Sequence, residues 1–328
     1  MKKIINDPNN VVAETLEGLA LSNPDIVYVP ELEVIARKEK TGKVGVVSGG
    51  GSGHEPAHAG YVGDGMLDAA VAGHVFSSPS PDRILEGIKR ADSGKGVLLV
   101  IKNYSGDIMN FELAAEMAEM EGIEVDYVVV KDDVAVEDST FSAGRRGIAG
   151  TVFVHKIAGA KAKQGGSLAE VKEAAEKAIK NIRSMGMSLT PCTIPANGKP
   201  NFEIEEDKME VGMGIHGEPG IQRKELLPSR ELAKELLGHI FDDMDFNDSN
   251  VALLTNGLGS TPPMELYILN RDVHKILEEK NIKVENNLVG NYMTALDMSG
   301  CSITLMKLDD ELRELLNVSC KTPALTIV

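Results

Sequence analysis

Lys43-Val44-Gly45-Val46-Val47-Ser48, followed directly by Gly49-Gly50-Gly51-Ser52-Gly53, is the stretch whose reading decides the fold. The first six residues are a short apolar run rich in valine, and such a run bounded by turn residues is a buried strand. The glycines behind it predict a loop, because they tolerate backbone angles that other residues resist. Gly96-Val97-Leu98-Leu99-Val100-Ile101-Lys102 repeats the pattern, with Asn103-Tyr104-Ser105-Gly106-Asp107 as its trailing turn. A helix is expected over 108–121. Its apolar positions Met109, Phe111, Leu113, Ala114, Met117 and Met120 fall on a helical stripe, which reads as core packing. Gly122 ends it, and 123–130 is a third strand. Strand and helix alternating across short loops means an α/β domain with a mostly parallel sheet.

Further along, Ser167-Leu168-Ala169-Glu170 fits a capping box and predicts a helix to about Arg183. Gly186, Pro191, Pro195, Gly198 and Pro200 then punctuate the chain. A domain boundary is placed there, giving an α/β domain over 1–185 and a second domain over 186–328 that carries His216. In the second, strands are expected at 209–213, 251–255, 282–289 and 301–308. Helices are expected from a Ser229 cap to Met244, over 263–280, and from Asp309 or Asp310 onward. Clean strand–helix–strand units are fewer here, so this half reads as α+β.

The chain has 328 residues, with 34 basic against 50 acidic side chains, a formal charge of -16 and a pI near 4.9. So acidic a surface repels phosphates, which makes nucleic acid and anionic membrane poor partners. No apolar run approaches the roughly 18 residues of a membrane span. The first residues lack the apolar core of a secretion signal. Three widely spaced cysteines, Cys192, Cys301 and Cys320, suggest a reducing cytoplasm rather than a disulfide scaffold.

Several residues are candidates for chemistry. Gly51, Ser52 and Gly53 sit at the carboxyl end of a strand, where open α/β sheets bind ligands. No Walker lysine follows them. His54-Glu55-Pro56-Ala57-His58 matches the zinc protease pattern on paper, but Pro56 would break the helix that pattern requires. His54 is therefore placed at or before a helix start, free to touch a ligand. His58 reads as a packed first-turn histidine. Asp107 fits either an N-cap or a general base, and spacing alone leaves both open. His216 lies in Gly212-Met213-Gly214-Ile215-His216-Gly217-Glu218-Pro219-Gly220, too rich in glycine for regular structure. A histidine there is either a solvent-exposed loop residue or one whose ring nitrogen serves as base, ligand or nucleophile. The same pairing of histidine with a nearby glutamate in a Gly/Pro turn occurs at His54-Glu55-Pro56. Arg145-Arg146 reads as a charge pair at a helix start rather than an anion site. Asn256-Gly257-Leu258-Gly259-Ser260-Thr261 could approach a ligand or a partner. His74, His155, His239 and His274 read as structural or surface residues.

Together these stretches resemble the substrate-binding K part of the dihydroxyacetone kinases. The resemblance rests on 48–58, on Lys102-Asn103-Tyr104-Ser105-Gly106-Asp107, on Ser142-Ala143-Gly144-Arg145-Arg146-Gly147 and on 212–220. It implies that His216 bonds covalently to the ketone carbon of dihydroxyacetone as a hemiaminal. It also implies that Gly51, Ser52, Gly53, His54, Lys102 and Asp107 surround the triose, with His54 and Asp107 available as bases. A chain that ends at Val328 without a nucleotide loop is then expected to be the separate K subunit of a phosphoenolpyruvate-driven system. On that expectation it binds no cofactor or metal, and ADP resides on a partner L subunit rephosphorylated by a PTS-type phosphocarrier. The resemblance further implies a cytoplasmic homodimer. The alternative is a K-like paralogue that senses dihydroxyacetone and acts as a transcriptional coactivator. Asp107 and His54 favour catalysis, since a sensor needs no proton acceptor.

Overall fold

The computed structural model describes residues 2–136 and 144–328. In the first half, β1 (Ile26–Val29), β2 (Val34–Arg37), β3 (Gly45–Ser52), β4 (Ala69–Val75), β5 (Val97–Lys102) and β6 (Val125–Val130) form one sheet. Its order is β1-β2-β4-β3-β5-β6. The β4, β3, β5 and β6 pairings are parallel, and β1 and β2 add an antiparallel margin. The helices of this half are α1 (Val11–Ser22), α2 (Pro81–Ala91), α3 (Ser105–Met120), α4 (Thr151–Lys163) and α5 (Leu168–Asn181).

The second sheet contains β7 (Ile182–Ser188), β8 (Lys208–Val211), β9 (Gln222–Glu225), β10 (Asn250–Gly257), β11 (Lys283–Gly290) and β12 (Gly300–Lys307). It runs β11-β10-β12-β7-β8-β9, and only the β10–β11 pairing is parallel. Helices α6 (Ser229–Asp243), α7 (Pro263–Glu279) and α8 (Asp310–Asn317) accompany it, and β13 (Cys320–Lys321) and β14 (Thr326–Ile327) close the chain as a small ribbon. The architecture is α/β followed by α+β.

Alternation along the buried strands explains the layering, since successive side chains point to opposite faces. Val47, Leu99 and Ile101 pack with Ile84 and Ile88 of α2 and Phe111 and Ala114 of α3. Their neighbours Val46, Leu98 and Val100 pack with α4 and α5. That second core also takes in Ala252, Leu254 and Met306 of the other sheet. Helix α4 is buried on nearly every face, as its apolar composition on all sides requires. Val251, Leu253, Ile303 and Leu305 face α6 and α7 instead.

Several expectations are corrected. The run Gly49-Gly50-Gly51 is not a loop but the second half of β3. No helix follows it. Residues 53–58 form an irregular turn with cis peptides at Glu55–Pro56 and Ala57–His58, and a short 3-10 turn, Ala59–Tyr61, comes after. His58 is thus not a first-turn helical residue. Its Nδ1 lies 2.9 Å from Nε2 of His155, and both rings are buried. The α3 stripe holds at Phe111, Ala114 and Met117, which pack on the sheet, and fails at Met109, Leu113 and Met120. Phe111, Ala114, Ala115 and Ala118 are buried, whereas Met109 and Met120 are 65% and 88% exposed. Small residues let α3 lie close to the sheet, and these two methionines project outward. Ser229 is the first residue of α6 and makes no capping bond. The Ser167–Glu170 capping box is present, and Asp309 caps α8 by accepting from the Leu312 amide.

Candidate functional site

The site lies where the carboxyl ends of β3 and β5 meet the β8–β9 hairpin. The β3 glycines make room for it. A Cβ on Gly51 would sit 2.6 Å from the Ser77 nitrogen and 2.8 Å from the Phe76 main chain. A Cβ on Gly50 would sit 2.8 Å from Lys102 Nζ and 3.4 Å from Asp107 Oδ2. The glycines therefore serve close approach in a strand.

Lys102 is the last residue of β5 and is fully buried. Its Nζ lies 3.3 Å from Oδ2 of Asp107, which is 3% exposed. Asp107 stands inside the first turn of α3, with Tyr104 in the cap position and no side-chain cap. The N-cap reading of Asp107 is therefore corrected. Its Oδ1 is buried without a hydrogen-bond partner among the described residues. A buried acceptor left open costs about 1–3 kcal/mol, which marks it as a group poised for a ligand.

His54 is fully buried in the turn after β3. The loop between β11 and β12 clamps that turn. Thr294 N donates to His54 O at 3.2 Å, and Leu296 N donates to Gly53 O at 2.7 Å. Asn256 holds this loop in turn, donating to Met293 O and accepting from the Tyr292 and Met293 amides. Asn256 thus buttresses the site without entering it. Nδ1 of His54 lies 2.7 Å from Thr294 O; a carbonyl only accepts, so Nδ1 carries the proton and Nε2 presents a lone pair. That Nε2 is buried and unpartnered among the described residues. Burial, then the charges of His216 and Lys102, push the imidazole well below its usual range, so it is neutral.

His216 sits in the connection between β8 and β9. Its ring lies 4.8 Å from that of His54, 5.3 Å from Phe76 and 4.6 Å from Tyr104, all edge to face. Its Nδ1 lies 2.9 Å from Oε1 of Glu218, and its backbone N donates to Oε2 at 2.9 Å. The carboxylate assigns the proton to Nδ1 and leaves Nε2 free, as for His54. Gly217, with φ +80, makes the sharp turn that lets Glu218 reach back. Burial pushes the Glu218 carboxyl up, but the charges of His216 and Arg146 outweigh it and hold the group at about 2.

Gly51, Phe76, Ser78, Tyr104, Asp107 and His216 enclose a cavity of about 280 Å³. His54 stacks on Phe76 at 5.2 Å, and Lys102 reaches in through Asp107. Ser52 does not join them, because its Oγ donates to Gly73 O. Gly53 contributes backbone to the clamp. A larger, mostly apolar cavity of about 510 Å³ lies between α1 and the turn at 55–60. Convergent polar groups make the smaller one the candidate site. Ser142 and Ala143 lie outside the described residues. Arg146 is not a helix-start residue but is fully buried, paired with Asp133 at 2.7 Å, while Arg145 pairs with Asp243. Among the described residues, no group of three or more His, Cys, Asp or Glu could hold a metal ion. Among the described residues, no helix is long and apolar enough to cross a membrane.

Phe76 and Ser78 carry no sequence signal. Tyr104 lies in the Lys102–Asp107 stretch with nothing in the sequence to assign it a role, and Glu218 is visible there only as a glutamate near a histidine. Chemically, His216 and Asp107 line one small crevice with the His54 ring packed beside His216, an arrangement in which an imidazole nitrogen can attack and a carboxylate or second imidazole can accept a proton.

Comparison with known proteins adds an independent observation. The family model described as "Dak1 domain" matches residues 17–324. The chain is 55% identical over 314 residues to the dihydroxyacetone-binding subunit of PTS-dependent dihydroxyacetone kinase 1 from Listeria innocua, covering 95% of each. The solved structure of a dihydroxyacetone kinase operon co-activator is similar with a TM-score of 0.91 at 41% identity, over 95% of this chain and 97% of that one. The C. freundii dihydroxyacetone kinase in complex with AMP-PNP and Mg2+ is similar with a TM-score of 0.90 at 34% identity, over 99% of this chain and 61% of that one.

Proposed function

The chain belongs to the Dak1 domain family, and from that premise we propose that it is the dihydroxyacetone-binding K subunit of a phosphoenolpyruvate-dependent, PTS-type dihydroxyacetone kinase. It acts as the phosphoacceptor half of a phosphotransferase, alongside a nucleotide-carrying partner subunit. The observation that supports this reading is His216, its Nδ1 tied to Glu218, lining one crevice with Asp107, with the ring of His54 packed 4.8 Å from that of His216.

Nε2 of His216 adds to the ketone carbon. The carbonyl π pair moves to oxygen, which takes a proton, and a hemiaminal results. Glycerol has no carbonyl to attack, so the anchor excludes polyols. The bond fixes a terminal hydroxyl for in-line attack on the phosphoryl group that the partner presents. The new O–P bond forms as the bond to the departing ADP oxygen breaks, and the hydroxyl proton passes to Asp107 or His54. Lys102 holds Asp107 in place through their buried pair. The phosphoryl group reaches the ADP of an L-type partner from a PTS-type phosphocarrier, and the subunit works as a homodimer. The coactivator reading is second: sequence identity to the kinase subunit exceeds that to the solved co-activator.

The test mixes this chain with an ADP-loaded L subunit and its phosphocarrier and follows dihydroxyacetone phosphate. Product dependent on this chain is expected. Absence of product, with the same partner active on a kinase K subunit, would overturn the reading.

A further inference from the structure

We propose that Glu218 is a positioning residue that keeps a proton on Nδ1 of His216 before and after the ketone adds, so that the adduct is held as an imidazolium. This rests on His216 being the covalent anchor.

Both oxygens of Glu218 are committed to His216, one to the ring and one to the backbone. The carboxylate is 3% exposed, so it is shielded from the water that would otherwise weaken the contact. A single residue, Gly217, separates acid and ring, and it turns the chain so that they meet. Behind the carboxylate stands Arg146, fully buried and held by Asp133 and by Gly212 O at 2.8 Å. A Cβ on Gly214 would fall 2.0 Å from Glu218 Oε2 and 2.7 Å from Arg146 Nη1. The acid and the guanidinium therefore occupy the same small space that Gly214 leaves clear.

The chemistry follows from this geometry. When Nε2 bonds to the ketone carbon, the ring acquires a positive charge, and the new alkoxide takes a proton from solvent. A neutral adduct would require Nδ1 to pass its proton to Glu218. Arg146 stabilises the carboxylate against accepting it, in keeping with a carboxyl held at about 2. The proton stays on nitrogen and the ion pair compensates the charge. The imidazolium adduct expels neutral imidazole, a far better leaving group than the imidazolide anion a neutral adduct would expel, so the bond that anchors the substrate also breaks readily as the hydroxyl returns its proton and the carbonyl re-forms to release the product.

The test uses the full chain with ¹⁵N-labelled histidine, alone and with dihydroxyacetone. In the free protein His216 should carry its proton on Nδ1. With ketone, Nε2 should shift to a carbon-bound position while Nδ1 keeps its one-bond coupling to hydrogen. Glu218→Gln, checked by thermal melting, should lose that tautomer preference and weaken adduct formation about ten-fold or more, the worth of a charge-assisted hydrogen bond. An adduct whose Nδ1 lacks hydrogen, or a Glu218→Gln protein with unchanged tautomer and affinity, would overturn the proposal. Absence of any adduct on the unaltered chain would sink the anchor reading instead, and the tautomer of the free protein would still decide whether Glu218 sets the proton.

Discussion

The imidazole of His54 meets the imidazole of His216 edge to face, 4.8 Å between ring centres. One ring follows the last strand residue of β3, and the other sits in the hairpin of the second sheet. Each has its Nδ1 tied to a fixed acceptor, Thr294 O for His54 and Glu218 for His216. Each Nε2 is consequently the nitrogen left without that bond, and the crevice beside His216 lies between two halves of the fold. Roles divide by environment: His54 is fully buried and neutral, and His216 has a carboxylate behind it.

Removing the anchor should abolish covalent binding without unfolding the chain, since His216 lies on a loop. With ketone labelled by ¹³C at the carbonyl, the unaltered protein should show a tetrahedral carbon signal. His216→Ala should show only free ketone while melting within a few degrees of the parent. A tetrahedral signal in the variant would assign the anchor elsewhere.

Asp107→Asn separates binding from transfer. The tetrahedral signal should persist, because Nε2 of His216 is untouched, while phosphate transfer falls by about 10²–10⁴, the usual contribution of a general base. The variant also leaves Lys102 buried without its carboxylate, so a lower melting temperature is expected. Undiminished turnover in a coupled assay would exclude Asp107 as the proton acceptor.

Gly51→Ala should damage fold and site together. The added methyl meets the main chain at Ser77 and Phe76, not a flexible side chain. Overpacking of this kind costs about 1–3 kcal/mol. Urea unfolding should register that loss, and calorimetry should show weaker ketone binding as Phe76 is displaced.

Acid should destabilise the chain in two windows. His155 is pushed down to about 3, by burial first and then by Lys102, and His54 and His58 are also held well below 6.5. Below about pH 6.5 the unfolded chain takes up protons that the native rings refuse. Stability present above that pH is therefore lost as pH falls, at up to about 1.4 kcal/mol per unit for each ring. Glu218 adds a separate loss from about pH 4.5 down toward 2. Urea midpoints between pH 7.5 and 4.5 should show the first window, and His155→Gln should make it shallower. A midpoint flat with pH over that range would contradict the buried neutral rings.

The two faces of α3 should respond oppositely. Phe111→Ala should cost about 3–5 kcal/mol, whereas Met120→Gln should change stability by no more than about 0.5 kcal/mol. Comparable losses at both positions would restore the methionine stripe to the core.

Local regularities were legible from the chain alone. The apolar runs around Val46 and Leu99 announced parallel buried strands, and the Ser167–Glu170 box announced α5, because those signals depend on neighbours a few residues away. His54, Asp107 and His216 stood out by residue type and by the glycines around them. Only the tertiary structure decided what those glycines are for: β3 keeps them because Lys102, Asp107 and Phe76 press against it from other elements. It likewise turned Ser52 away toward Gly73, faced Met109 and Met120 of α3 outward, and buried Arg146 behind Glu218. Each of these depends on contacts between segments remote in the chain. Periodicity reports which residues share a face, but not which face a neighbouring element will cover, nor which buried charge will find its partner there.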